Sequence, residues 1–415
     1  MPDDQSVVLV TIDSFRTDYC GVAAGDTDTM PTLAAHAEDG LVFENAIAPG
    51  AATFASATSF LTGMDPVERP DAAGATREDM KAHVREHMAA RRSVAEEFSE
   101  RGYETAAFTA NPWTSRYFGF DEGFDRFEDF MEDDASSDLL EGGEQESTIG
   151  TLAMNAANWW QGQDMFMSWE ALADEISEWT AQADDPYFLW VFLVDSHLPY
   201  LPPKEYRTQS RLKTYPANMG LFLSRDLPFE SLLHDVLTTA YENSLAYTDE
   251  FLSFLTDEVG EDPLFVVHGD HGEAFGEHGM YGHGRQLYEH LVNVPLVVCN
   301  GPSGHVEEPF SLSRLPALLH GLASGDESVP ERLTEPYVYS STRMPNVAVR
   351  GKDWKYIWSP DDRELYDLTD GEDAEVDDED LRAVGQDLVD FWLGSQSEKE
   401  RVVAAAQDLA ESGRV

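Results

Sequence analysis

The chain has 415 residues, room for one large or two ordinary domains, and 42% of them are apolar, which excludes global disorder. Its 27 basic residues stand against 79 acidic ones, a formal net charge of −52. DNA, RNA and anionic membranes all require a basic footprint, so none of them is expected as a partner. From the start, MPDDQSVVLVTIDS, the chain passes into an apolar run without a basic n-region, which argues against a signal peptide. That run, Val7–Ile12, predicts a buried strand. Residues 92–101 follow helical spacing, and 105–110 (TAAFTA) predict a second strand. An insertion is expected at 129–164, where an acidic run meets NAANWWQG, with Trp159 and Trp160 expected in a core. Residues 187–194 (YFLWVFLV) predict a third strand, 204–231 a second insertion, and 232–255 a long helix. Two further strands are predicted at 264–268 and 295–298. Little polar alternation marks these runs, as expected when both faces of a sheet are covered. Strands alternating with helices predict an α/β fold, a mostly parallel central sheet sandwiched by helices. After Pro330, short runs at Tyr337–Ser341, 347–350, Trp354–Trp358 and 364–366 predict a small antiparallel sheet, with a helix from about Glu379. The expected division is a main unit over 1–325 and a small α+β subdomain over 326–415.

In such sheets ligands sit beyond the carboxyl ends of the strands. Asp13 follows the first strand, Asp195 and His197 follow the third, and His268, Asp270 and His271 close the fourth in HGDHGEAFGEHG. Each alone reads as a loop polar residue; together they deliver carboxylate and imidazole to one rim, a natural site for a divalent cation. Residues 48–63 (APGAATFASATSFLTG) read as a tight loop entering a helix over 54–61. A hydroxyl there lies near the positive end of the helix dipole, which attracts oxyanions. Thr53, Ser56, Thr58 and Ser59 are all candidates, and periodicity does not choose among them.

In order, TIDSFRTDYCG, PGAATFASATSFLTG, FLVDSHLPYLPP, GDHGEAFGEHGMYGHGRQLYEHLVNVPLVV and VRGKDWKYIW with ELYDL resemble the hallmark segments of the sulfatase family, within the alkaline-phosphatase superfamily. The resemblance spans roughly residues 7–370. It implies an alkaline-phosphatase-like fold and Asp13, Asp270 and His271 as metal ligands, with Thr53 as both nucleophile and ligand. It also implies that His197 and His283 contact the ester's oxygens or leaving group. Thr53 falls where sulfatases carry the residue oxidised to formylglycine, a conversion its β-methyl forbids. Ala55 and Ala57 replace the proline and arginine of the modification motif, and Ser14 replaces a second aspartate. A threonine with Asp, Asp and His is instead similar to phosphodiesterases, phosphonate hydrolases and phosphoglycerol or phosphoethanolamine transferases, the last usually membrane-anchored. The implied function is hydrolysis of a small-molecule phosphate ester, a diester or phosphonate-type monoester, through a covalent Thr53 intermediate. A sulfatase using unmodified threonine is the nearest alternative, and a metal-binding pseudoenzyme or scaffold the alternative of another class. One divalent ion is expected, Mn²⁺ or Zn²⁺ ahead of Ca²⁺ or Mg²⁺.

Other polar residues have plainer readings. Arg16 would buttress the first loop, Glu277 and His278 would hold the Gly-rich turn, and His290 would pack on a helix. Asp195 would orient His197 or join it and His283 around a second ion. Cys20 and Cys299 are too few for a disulfide framework or a thiolate zinc site. The scattered acid, scarce lysine and want of a membrane-length apolar stretch predict a protein without a membrane anchor, in the cytoplasm of a high-salt cell.

Overall fold

The computed structural model describes residues 4–22, 28–64, 77–129, 168–223, 230–342, 346–372 and 374–411. Eight strands build the central sheet: β1 Val7–Ile12, β2 Leu41–Phe43, β3 Glu104–Thr109, β4 Arg126–Glu128, β5 Tyr187–Leu193, β6 Leu264–Gly269, β7 Leu296–Cys299 and β8 Gly304–Val306. They lie in the order β8, β2, β7, β6, β1, β5, β3, β4. Every neighbouring pair is parallel except those of β7, which opposes both β2 and β6. The sheet is mostly parallel, as expected, and the run at 295–298 is the strand that reverses. Between β6 and β7 the one α-helix has four residues, too short for a crossover, so the chain returns alongside antiparallel.

Successive side chains of the central strands enter opposite cores. Val7, Leu9, Phe188, Trp190, Leu264 and Val266 pack on one face; Val8, Val10, Leu189, Val191, Phe265 and Val267 pack on the other. Each large apolar side chain buried this way contributes roughly 1.5–3 kcal/mol. Two-sided burial is why these strands read as unbroken apolar runs. Phe60, Phe98 and Leu318 cover the first face from the helices Thr53–Thr62, Val94–Glu100 and Leu315–Ala323. Leu33, Ile176 and Leu245 cover the second from Pro31–Asp39, Glu170–Thr180 and Glu230–Val259. The helix predicted at 92–101 is Val94–Glu100, started by a capping box between Ser93 and Glu96.

A second sheet follows in chain order, antiparallel throughout: β9 Tyr337–Ser341, β10 Val347–Gly351, β11 Trp354–Trp358 and β12 Arg363–Asp367. Val389 and Trp392 of the helix Glu379–Glu411 close its core. This sheet braces the loop ahead of residue 53, where Ser341 N donates to Pro49 O at 2.9 Å and Ser340 Oγ to Ala48 O at 2.6 Å. The first expected insertion, with Trp159 and Trp160, lies almost wholly outside the described residues. The second contains the helix Arg211–Leu223 and then also leaves the described residues.

Candidate active site

Parallel strands β1, β3, β5 and β6 end on one rim, and each hands over to a polar residue. Asp13 and Asp270 come directly after β1 and β6, and both are fully buried. Asp13 Oδ1 accepts from Ser14 Oγ at 3.0 Å and Oδ2 from Asn111 Nδ2 at 2.7 Å. Asp270 Oδ1 accepts from the amides of Ser14 and His271 at 3.1 and 2.7 Å. Its Oδ2 is buried without a hydrogen-bond partner, 3.5 Å from His271 Nε2. His271 Nδ1 lies 2.8 Å from Gly272 O; a carbonyl only accepts, so Nδ1 carries the proton and Nε2 presents a lone pair. That nitrogen is 3.7 Å from Asp13 Oδ1. Two carboxylates and an imidazole lone pair thus converge on one small space. Burial, and then the Asp13 charge, push the Asp270 carboxyl well above the usual range. Burial, and then His283, hold His271 down at about 4. A divalent cation answers all three strains, and Asp13, Asp270 and His271 have ligand atoms within 4.8 Å of one another.

The helix Thr53–Thr62 begins one residue earlier than its pattern suggests, with Thr53 in its first turn and Gly63 (φ 68°) ending it. Ala52 gives no capping side chain, so the first-turn amides have no side-chain acceptor. Thr53 Oγ1 stands 3.3 Å from His271 Nε2 and 3.5 Å from Asn111 Nδ2. Two of the other candidate hydroxyls bond back into their own helix. Thr58 Oγ1 donates to Phe54 O at 3.0 Å and Ser59 Oγ to Ala55 O at 2.9 Å, while Ser56 Oγ is buried without a partner. Of the four candidates, Thr53 is the one brought to the carboxylates.

His197 and His283 flank this cluster, their rings 5.2 Å apart, with His283 4.3 Å from the His271 ring. Each is held through Nδ1: His197 to Leu198 O at 2.7 Å, His283 to Glu273 Oε1 at 3.1 Å. Glu273 is fully buried; burial would raise it, but the charges and hydrogen bond of His283, helped by His197 and His271, bring it down to about 2. Asn111 and Glu273 escaped the sequence reading. Asn111 lies two residues past the end of β3, and Glu273 lies inside the Asp-His-Gly-Glu string, so the strand-end rule applied to β3 was the available signal for Asn111. His268 is a correction in the other direction. It lies within β6, fully buried, with its ring edge on Phe60 and Nε2 2.9 Å from Thr11 Oγ1, so it belongs to the core. Arg16 buttresses as expected, donating to Asp18, Glu277 and the Glu273 carbonyl. Asp195, His197 and His283 do not form a group with metal-ligand spacing among the described residues.

Residues 5–311 match the sequence profile of the family described as Sulfatase. An uncharacterized sulfatase, YidJ of Escherichia coli K12, is 25% identical over 177 residues, 37% of this chain and 34% of the relative. Choline-sulfatase of Rhizobium meliloti is 29% identical over 157 residues, 31% of this chain and 30% of the relative. These alignments therefore span about a third of each relative's length. Among solved structures, phosphonate monoester hydrolase of Agrobacterium radiobacter superimposes with TM-score 0.64 at 18% identity, covering 95% of this chain and 96% of that one. A putative sulfatase from Bacteroides thetaiotaomicron gives 0.66 at 15% identity, covering 96% and 94%. Both likenesses bear on the fold: a parallel sheet between helices with an antiparallel sheet after it. Among the described residues, no helix is long and apolar enough to cross a membrane.

Proposed function

The chain belongs to the sulfatase family of hydrolases, and from that premise we propose that it cleaves a phosphate ester, a diester or phosphonate-type monoester, through a covalent intermediate on Thr53. The observation that carries the reading is the position of Thr53 Oγ1, at a helix start, 3.3 Å from His271 Nε2 and beside two buried carboxylates. Asp13, Asp270, His271 and Thr53 would hold one divalent ion, Mn²⁺ or Zn²⁺ by the mix of oxygen and nitrogen donors. Such an ion would lower the pKa of the Thr53 hydroxyl and neutralise charge on the transferred group. Thr53 Oγ gives its proton to solvent water and bonds phosphorus in line, and the bond from phosphorus to the leaving oxygen breaks. His197 or His283 gives that oxygen a proton from Nε2, while the Nδ1 contacts fix the rings. Asn111 and the uncapped amides of the helix stabilise the equatorial oxygens. Water then attacks phosphorus, giving a proton back to that histidine, and the bond from phosphorus to Thr53 Oγ breaks as that oxygen regains a proton from solvent.

The methyl group of Thr53 favours phosphorus over sulfur. A formylglycine hydrate discards sulfate by collapsing to the aldehyde, a route closed to threonine, whose ester must be cleaved by water. Phosphonate monoester hydrolase among the similar structures supports the same reading. A panel of phosphate monoesters, diesters, phosphonates and sulfate esters, run with several metals in high salt, tests it, together with intact mass spectrometry after acid quench. A phosphoryl adduct on the peptide carrying Thr53 is expected. Thr53→Ala should lower turnover by about 10⁴-fold or more, with Thr53→Ser retaining part of it. An adduct on Ser56, or sulfate esters outrunning every phosphorus substrate, would overturn the proposal. The surplus of acid supports a further part of the reading, work in the cytoplasm of a high-salt cell.

A further inference from the structure

Apart from the strand-end cluster, one group of described side chains has metal-ligand spacing: His278, His290 and Glu372 each offer a ligand atom within 4.8 Å of the others. Three separate pieces of chain supply them. His278 sits in the Gly-rich turn at φ 49°, His290 in the short helix Glu289–Val292, and Glu372 just after β12. The His278 ring lies flat on Tyr288, centroids 3.6 Å apart and 3° between planes, and is 5.9 Å from the nearly parallel His290 ring. His290 Nε2 is buried without a hydrogen-bond partner. Glu372 Oε1 is buried too, and its 3.2 Å approach to Lys355 Nζ is an ion pair without hydrogen-bond geometry. Leaving a buried polar atom such as His290 Nε2 unmatched costs about 1–3 kcal/mol.

We propose that His278, His290 and Glu372 bind a second divalent cation, of the Zn²⁺ class, separate from the ion at the strand ends. Two imidazoles and a carboxylate form a zinc donor set with a fourth position for water. Ca²⁺ and Mg²⁺ demand more oxygens than the group offers. Bonds of about 2.0–2.1 Å would hold the ligand atoms about 3.4 Å apart, within reach of small side-chain movements. The neighbouring cations are already matched: Arg16 by Asp18 and Glu277, both at 2.7 Å, and Lys355 by Glu289 at 3.0 Å. The ion would clip the second sheet to the segment that carries His271 and Glu273. That segment rests on His290, whose carbonyl accepts from Glu273 N at 3.1 Å and passes so close to Gly272 that a Cβ there would lie 2.1 Å away.

The full chain, stripped by a chelator and dialysed against Zn²⁺, tests this by elemental analysis and by the thermal midpoint. The wild type should hold two ions and Asp270→Ala one, with a Zn²⁺-dependent rise in midpoint remaining. Adding His290→Ala to Asp270→Ala should remove the last ion and that rise, weakening Zn²⁺ binding more than the 10–100-fold typical of losing an outer partner. Glu372→Gln serves the same purpose if His290→Ala does not fold. A wild type with one ion, kept by Asp270→Ala but lost with His290→Ala, would support this site and count against the strand-end ion. Zn²⁺ uptake by Asp270→Ala that neither second change alters, or no uptake at all, would overturn it.

Discussion

Asn111 Nδ2 reaches Asp13 Oδ2 at 2.7 Å and Thr53 Oγ1 at 3.5 Å, which would put a neutral donor where negative charge gathers in the transfer proposed above. A donor of this kind, held in place before the reaction, is worth about 10²–10³-fold in kcat. Asn111→Ala should therefore lower kcat by about 10²-fold with little change in KM or metal content, measured by steady-state kinetics and elemental analysis. A fall confined to KM would assign Asn111 to ground-state binding instead. The acidic and basic members of the site were legible because a core strand has no structural reason to end in Asp or Asp-His. Asn111 was not, since an asparagine before proline reads equally well as a turn, and it does cap Trp113 N at 2.9 Å. The choice among Thr53, Ser56, Thr58 and Ser59 was also closed to periodicity. It depends on which hydroxyls bond back to their own helix, and side-chain directions decide that.

At the scale of elements, the unbroken apolar runs made the central strands legible, while the direction of β7 was not, because a buried strand looks the same from either end. The join between the two sheets was hidden for a different reason: its contacts link residues far apart in sequence. Lys355 of β11, fully buried, donates to Glu289 at 3.0 Å, and Arg350 of β10 approaches Glu289 at 3.3 Å. Burial would raise Glu289, but Lys355 and then Arg350 bring it down to about 2 from an ordinary 4.5. A depressed carboxyl stabilises the fold fully above its unfolded pKa and loses that contribution as pH falls through the folded one. Glu289→Gln should accordingly cost about 3 kcal/mol at pH 7, and its deficit should shrink between pH 4.5 and 2. Denaturant unfolding at fixed ionic strength checks this. A deficit that stays constant down to the acid limit would mean that shape, rather than charge, holds the join.

For the whole molecule the dominant quantity is the net charge of −52, spread over the chain with only Lys81, Lys204, Lys213, Lys352, Lys355 and Lys399 as lysines. Nothing in the sheet order requires it, since the strands and their two cores are built from apolar runs that carry almost none of the acid. The charge therefore bears on the conditions of folding and leaves the topology alone, and the two could be read from the sequence separately. Self-repulsion of this size opposes the compact state, and it acts over a Debye length of about 10 Å at 0.1 M salt but about 3 Å at 1 M. The thermal midpoint should accordingly rise steeply with KCl up to about 1 M and flatten towards about 3 M, because screening is nearly complete once the Debye length falls below the spacing of surface carboxylates. The shape of the curve matters as much as its sign. Salts that act by exclusion from the surface strengthen burial progressively with concentration, so a rise that stays linear to 3 M would assign the effect to the cores. A midpoint that is flat or falls with KCl would remove self-repulsion, and with it the high-salt setting, from the account of this protein.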